Sequence, residues 1–72
     1  MPSLPIISGK EAVNAFLKAG FEIKRQKGSH IHLVKSKYHV TIPMHDPIKR
    51  GTLRSAIRQA GMTVEEFLSF LK

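Results

Sequence analysis

The first part of the chain carries apolar residues at the spacing of one helix face. Between Ser8 and Gly20 this stripe consists of Ala12, Val13, Phe16 and Leu17. Ser8 with Glu11 three residues later has the pattern of a capping box, and Gly20 is a residue that ends helices in the left-handed conformation. The sequence therefore predicts a first helix from about Gly9 to Ala19.

The middle of the chain changes to the two-residue alternation that is typical of strands. Three short alternations follow one another, separated by turn residues at Gly28-Ser29 and Ser36-Lys37. Their apolar members are, in order, Phe21 and Ile23, then Ile31 and Leu33, then Tyr38, Val40 and Ile42. This pattern predicts an antiparallel meander of three strands with one face on the core.

Helical spacing returns after Gly51, with a stripe formed by Leu53, Ala56, Ile57 and Ala60. Thr63 and Glu66 repeat the capping-box pattern and precede a short stripe of Val64, Phe67, Leu68 and Leu71. The predicted order is α-β-β-β-α plus a short C-terminal helix, an α+β fold with the helices on one face of the sheet. With 72 residues, we expect a single domain over residues 1–72.

Basic charge is concentrated in the segment from Lys24 to Arg58. The chain has 12 Lys and Arg against 5 Asp and Glu, and this segment holds nine of the basic residues with Asp46 as its one acidic residue. All four histidines fall in the same segment. A field of this kind attracts polyanions, and nucleic acid is favoured over an anionic membrane because the basic residues do not form one long amphipathic helix.

Several classes of protein are disfavoured by what the sequence lacks. It has no cysteine, which excludes a disulfide scaffold and a thiol nucleophile. No apolar run approaches the roughly 20 residues of a membrane span, and the N-terminus does not have the plan of a signal peptide, so we expect a cytoplasmic protein. His30 and His32 form a His-x-His pair without a third ligand at conventional spacing, so we expect no metal and no cofactor.

Four segments of the sequence, taken in order, resemble the HicA (YcfA-like) mRNA interferase toxins of bacterial and archaeal toxin–antitoxin pairs. They are SGKEAVNAFLKAGF, RQKGSH, IPMH and KRGTLRSAIRQAGMTVEEFL. The resemblance implies a double-stranded-RNA-binding-domain-like fold and a type II toxin that acts as an endoribonuclease on mRNA in the stress response. It also implies a HicB-type antitoxin as partner, and we expect that antitoxin to cover the active site.

The family's catalytic histidine lies in its Gly-Ser-His motif, which the resemblance carries over to His30. Many members have a second histidine directly after it, whereas this chain has Ile31 there and His32 one residue later. Histidine suits metal-free RNA cleavage because its ordinary pKa of about 6.5 allows it to give and take protons near neutrality. The step needs a second proton-transfer group, for which His32 and His45 are both candidates, unless water takes this role.

The basic residues sort into two groups of candidate RNA contacts. Arg25 and Lys27 flank the Gly28-Ser29 turn, which we expect the Ser29 hydroxyl to shape, and Ser29 is itself a candidate RNA contact. The second group comes with the second helix and consists of Lys49, Arg50, Arg54 and Arg58, which suit an RNA backbone or an acidic antitoxin. The alternative function is a non-catalytic RNA-binding module of the same fold, recognising RNA through phosphates and 2′-hydroxyls without cleaving it.

Overall fold

The computed structural model describes residues 3–71. Met1, Pro2 and Lys72 lie outside the described residues. The elements are α1 (Gly9–Lys18), β1 (Glu22–Lys27), β2 (His30–Lys35), β3 (Tyr38–Pro43), α2 (Arg50–Gln59) and α3 (Val64–Ser69). The strands form an antiparallel meander in the order β1-β2-β3, so the predicted α+β fold is confirmed.

Both predicted capping boxes form and determine where α1 and α3 begin. The Ser8 hydroxyl accepts a hydrogen bond from the Glu11 backbone N–H at 3.1 Å, and the Glu11 carboxylate accepts one from the Ser8 N–H at 3.1 Å. Thr63 and Glu66 repeat this exchange at α3. Gly20 follows α1 with a φ of 102°, the left-handed conformation that glycine adopts without steric cost.

The core lies between the sheet and the helices. Ile31 and Leu33 of β2 stand directly opposite Ile42 and Val40 of β3, and all four side chains are buried. α1 and α2 both contact β3, α1 also contacts β1, and α3 contacts α2. The helices therefore cover the side of the sheet that presents these four residues.

Three phenylalanine rings join the ends of the chain within this core. The Phe16 ring lies 5.4 Å from Phe21 in an edge-to-face arrangement and 5.1 Å from Phe67. All three side chains are buried, as their positions on the apolar stripes predict. Aromatic pairs of this geometry contribute about 0.5–1.5 kcal/mol beyond the area they bury.

Two apolar residues predicted to lie on buried stripes are exposed. Leu17 is 39% exposed, because successive helix residues turn by about 100° and Leu17 lies farther round the axis than Val13. Ile23 is 49% exposed, and every residue of β1 is exposed. β1 is an edge strand with β2 as its neighbour, and α2 packs over β3 at the opposite edge of the sheet.

Candidate functional site

The face of the sheet turned away from the helices carries most of the chemistry of the central segment. In an antiparallel sheet, residues directly opposite one another project from the same face. Because Ile31 and Leu33 point into the core, His30 and His32 point to the open face. The register places two rows of residues across this face, Lys27–His30–Pro43 and Arg25–His32–Thr41.

An irregularity in β1 brings the two basic side chains to this face. Ile23 stands opposite Leu33, yet Arg25 stands opposite His32, so Lys24 is an extra residue without its own partner on β2. Without this bulge, strict alternation would place Arg25 on the same face as Ile23. β-Bulges reorient the side chains that follow them. Here the bulge moves Arg25 and Lys27 to the face that carries the histidines.

These side chains line a shallow depression of about 190 Å³. Its lining residues are Arg25, Lys27, His30, His32 and Thr41. A guanidinium and an ammonium group bordering one concavity make its potential positive, which attracts an anionic ligand such as a phosphate group. Imidazole rings beside them are able to accept and donate protons near neutral pH.

The two histidines of the depression differ in their surroundings. The His32 Nδ1 lies 3.0 Å from the Thr41 hydroxyl oxygen, and its Nε2 lies 3.4 Å from the Nδ1 of His39. Both ring nitrogens of His32 are therefore within hydrogen-bond distance of a partner. His30 is exposed, and no residue in the range 3–71 hydrogen-bonds its ring. The His30 ring is thus the one whose nitrogens are open to a ligand.

His39 also belongs to this cluster, although the sequence analysis singled out only the other three histidines. Its ring centroid lies 5.6 Å from that of His32. The signal for its position was present in the chain, since Tyr38, Val40 and Ile42 alternate with His39 and Thr41. The alternation does not predict the diagonal contact between His39 on β3 and His32 on β2.

The turn before His30 is held by two neighbouring segments. The Ser29 carbonyl accepts a hydrogen bond from the Met44 N–H at 2.6 Å, and the His45 carbonyl accepts one from the Gly9 N–H at 2.8 Å. The β3–α2 loop thus connects the start of α1 to the Gly28-Ser29 turn. Within the described residues the Ser29 hydroxyl makes no hydrogen bond, so Ser29 acts here through its carbonyl and not through the expected hydroxyl contact.

The remaining predicted site residues lie outside the depression. His45 is exposed on the β3–α2 loop and does not line it. Lys49, Arg50, Arg54 and Arg58 are exposed at the start and along the outer side of α2. Arg54 and Arg58 line a different concavity, between α2 and α3. The predicted RNA-binding residues are therefore divided between two surfaces.

Two structural features are absent from residues 3–71. No group of three or more His, Asp or Glu side chains is arranged to hold a metal ion in this part of the chain. In the same range, no helix combines the length and hydropathy needed to cross a bilayer.

Fold and site together define a small α+β domain whose open sheet face presents histidines and basic side chains to an anionic ligand. The model of the HicA toxin family, described as the HicA toxin of bacterial toxin-antitoxin, matches residues 9–62. Because the match covers most of the chain, the chain belongs to the HicA toxin family, which confirms the resemblance seen in the sequence. Its family role is that of the toxin in a toxin–antitoxin system. Among curated proteins, none matches the chain.

Proposed function

We propose that this toxin is a metal-independent endoribonuclease that cleaves mRNA, with His30 as a general acid or base. The observation that carries the proposal is the position of His30 within the depression. Its exposed ring stands directly opposite Lys27 and one row from Arg25, on the open face of the sheet. An acid–base group beside two cationic side chains suits RNA cleavage by its own 2′-hydroxyl.

The groups of this site and the RNA account for every proton transferred and every bond made or broken in the reaction. A neutral imidazole accepts the 2′-hydroxyl proton, the 2′-oxygen forms a bond to the adjacent phosphorus, and the bond from phosphorus to the 5′-oxygen breaks. The leaving 5′-oxygen takes a proton from a second group, so the products are a 2′,3′-cyclic phosphate and a 5′-hydroxyl. General acid–base catalysis of this kind contributes roughly 10²- to 10⁴-fold to the rate.

The cations and the turn bind the RNA in this proposal. Arg25 offers a planar guanidinium that matches two phosphate oxygens, and Lys27 adds a point charge beside His30. The Gly28-Ser29 turn presents backbone close to the phosphate. Lys49 and Arg50, at the start of α2, remain proposed contacts for the RNA backbone away from the cleaved bond.

The second proton-transfer group remains open between His32 and His45. His32 lies in the same depression as His30, but it must release Thr41 or His39 before a ring nitrogen can reach the RNA. His45 has a backbone contact to α1 but lies outside the depression. Single glutamine variants of the two histidines, assayed for cleavage rate, separate these possibilities.

The proposed setting is the cytoplasm, where the toxin meets mRNA and its antitoxin. We propose a HicB-type antitoxin that covers His30, because a free mRNA-cleaving enzyme would harm its own cell. The basic surface accelerates the arrival of an acidic partner. A purified complex with the antitoxin should therefore digest RNA much more slowly than the free toxin.

The decisive experiment compares RNA cleavage by the parent chain and by His30→Ala in excess EDTA. We expect the parent to cut and to leave a 2′,3′-cyclic phosphate, and the variant to be slower by about 10²- to 10⁴-fold. Lys37→Ala, in the turn at the other end of β2, is the control and should cut at the parent's rate. Circular dichroism establishes that each variant is folded.

Two results would contradict the assignment. Equal cutting by the parent and His30→Ala would mean that another residue or a contaminant is responsible. Salt-sensitive RNA binding by both, without any cutting, would identify the chain as the non-catalytic RNA-binding module.

A further inference from the structure

A second concavity, which we call the α2–α3 groove, lies between the last two helices and has a volume of about 430 Å³. Its apolar lining comes from Ile57, Met62 and Val64, and its charged lining from Arg54, Arg58 and Glu65. Ile57 is buried at the base, whereas Met62 and Val64 are half-buried. The groove shares no lining residue with the depression that contains His30.

The two arginines of the groove are available to a partner. Arg54 and Arg58 are four residues apart and therefore lie on the same side of α2, where both are exposed. No carboxylate in residues 3–71 pairs with either guanidinium. Arginine beside apolar side chains is characteristic of the centres of protein–protein interfaces, where it pairs with a carboxylate of the partner.

The composition of the groove favours a protein over RNA. Apolar side chains such as Val64 and Met62 give a phosphate backbone nothing to bind, but they provide a surface for the apolar residues of a protein segment. A segment with apolar residues on one face and carboxylates near Arg54 and Arg58 complements both parts of the groove.

The extent of the family match separates the groove from the depression. The matched segment, residues 9–62, contains every residue that lines the depression. One wall of the groove, formed by Thr63, Val64 and Glu65, lies beyond that segment. The depression therefore lies wholly within the matched segment, and the groove extends past its end at residue 62.

We propose that the α2–α3 groove anchors an acidic, amphipathic segment of this chain's own antitoxin, apart from the surface that carries His30. The groove contributes to the affinity for this antitoxin. The inference rests on the proposed function only in assuming that an antitoxin protein exists. Its test measures binding of that antitoxin and does not require RNA cleavage.

The test measures the affinity of the purified cognate antitoxin for three charge variants of the toxin. The double variant Arg54→Glu/Arg58→Glu should raise Kd by about 30-fold or more, the loss typical of an interface hot spot. Glu65→Lys should lower Kd by roughly 3-fold, because it makes both walls of the groove basic. The double variant Lys10→Glu/Lys37→Glu reverses the same amount of charge elsewhere on the exposed surface and should change Kd by less than about 3-fold.

Glu65→Lys also provides the activity control, since Glu65 has no place in the proposed RNA site. It should cleave RNA at the parent's rate while binding the antitoxin more tightly. If the parent does not cleave RNA at all, the ribonuclease proposal fails, but the comparison of antitoxin affinities still decides the role of the groove.

Three results would overturn the inference. The first is an equal loss of antitoxin affinity in the groove double variant and the Lys10/Lys37 control. The second is tighter RNA binding by Glu65→Lys together with weaker RNA binding by Arg54→Glu/Arg58→Glu, which would make the groove a nucleic-acid surface. The third is self-association of the parent in sedimentation experiments that the groove variants abolish, which would make it a contact between two copies of the toxin.

Discussion

Replacing Gly9 by alanine tests whether the start of α1 must contact the β3–α2 loop directly. Gly9 is buried in the first turn of α1, and its N–H donates to the His45 carbonyl at 2.8 Å. A Cβ at this position would lie 2.3 Å from the Pro43 carbonyl oxygen and 2.8 Å from the Met44 Cα. Both neighbours are backbone atoms, so no side-chain rotation relieves the overlap. The helix and the loop must move apart.

The expected cost follows from three opposing effects. Overpacking of a tight contact costs about 1–3 kcal/mol. Weakening the hydrogen bond from Gly9 to His45 removes up to about 1.5 kcal/mol. The higher helix propensity of alanine offsets at most about 1 kcal/mol of this destabilisation. We therefore expect a net destabilisation of roughly 1–3 kcal/mol, with Tm lower by about 4–8 °C for each kcal/mol.

Gly51→Ala is the matched control, because it makes the same change in the first turn of α2. A Cβ at Gly51 would meet no atom within 4 Å. This variant should gain up to about 1 kcal/mol from helix propensity alone. Urea denaturation followed by circular dichroism measures both variants, and the two free energies of unfolding should change in opposite directions.

The same perturbation should reach the candidate site, since the loop that Gly9 contacts also donates from Met44 to the Ser29 carbonyl. Under the proposed function, Gly9→Ala should lower RNA cleavage at a temperature where the variant is still folded, and Gly51→Ala should not. A Gly9→Ala protein as stable as Gly51→Ala would refute the close contact and the reasoning built on it.

Three further predictions concern the core, a helix cap and the β1 bulge. Phe16→Ala should destabilise the fold by about 3–5 kcal/mol in urea denaturation, because Phe16 is fully buried between two other rings; a loss below about 1 kcal/mol would contradict its central place. Ser8→Ala should lower the free energy of unfolding by about 1 kcal/mol in the same assay. Ser8→Asp retains a capping oxygen and should lose much less stability. Equal losses in the two variants would show that the cap does not stabilise α1. The double variant Arg25→Ala/Lys27→Ala should reduce the slope of log affinity for RNA against log salt by up to about 2. Deletion of Lys24 removes the bulge but leaves Arg25 and Lys27 opposite His32 and His30, so it should reduce the slope by at most about 1, as Lys24→Ala should. An unchanged slope in the double variant would refute the role of these two side chains in RNA binding.

The sequence alone determined the features that depend on close neighbours along the chain. The capping boxes at Ser8 and Thr63 join residues three apart, so their pattern specifies both partners. Alternation in β2 and β3 identified the buried residues of those strands, because one face of each lies on the core. The motif that contains His30 also lies within a few consecutive residues, and it indicated the family before the fold was described.

Features that depend on packing between distant segments follow from the three-dimensional fold and not from local pattern. The exposure of Ile23 and Leu17 follows from where the helices lie on the sheet. The extra residue at Lys24 reverses the face of Arg25 and Lys27. No local pattern indicates this bulge, since register is a property of two paired strands. The contact of His32 with His39 and the separation of Arg54 and Arg58 from the depression arise in the same way. The chain specifies these residues locally, but which of them share a surface is determined by the packing of the sheet and helices.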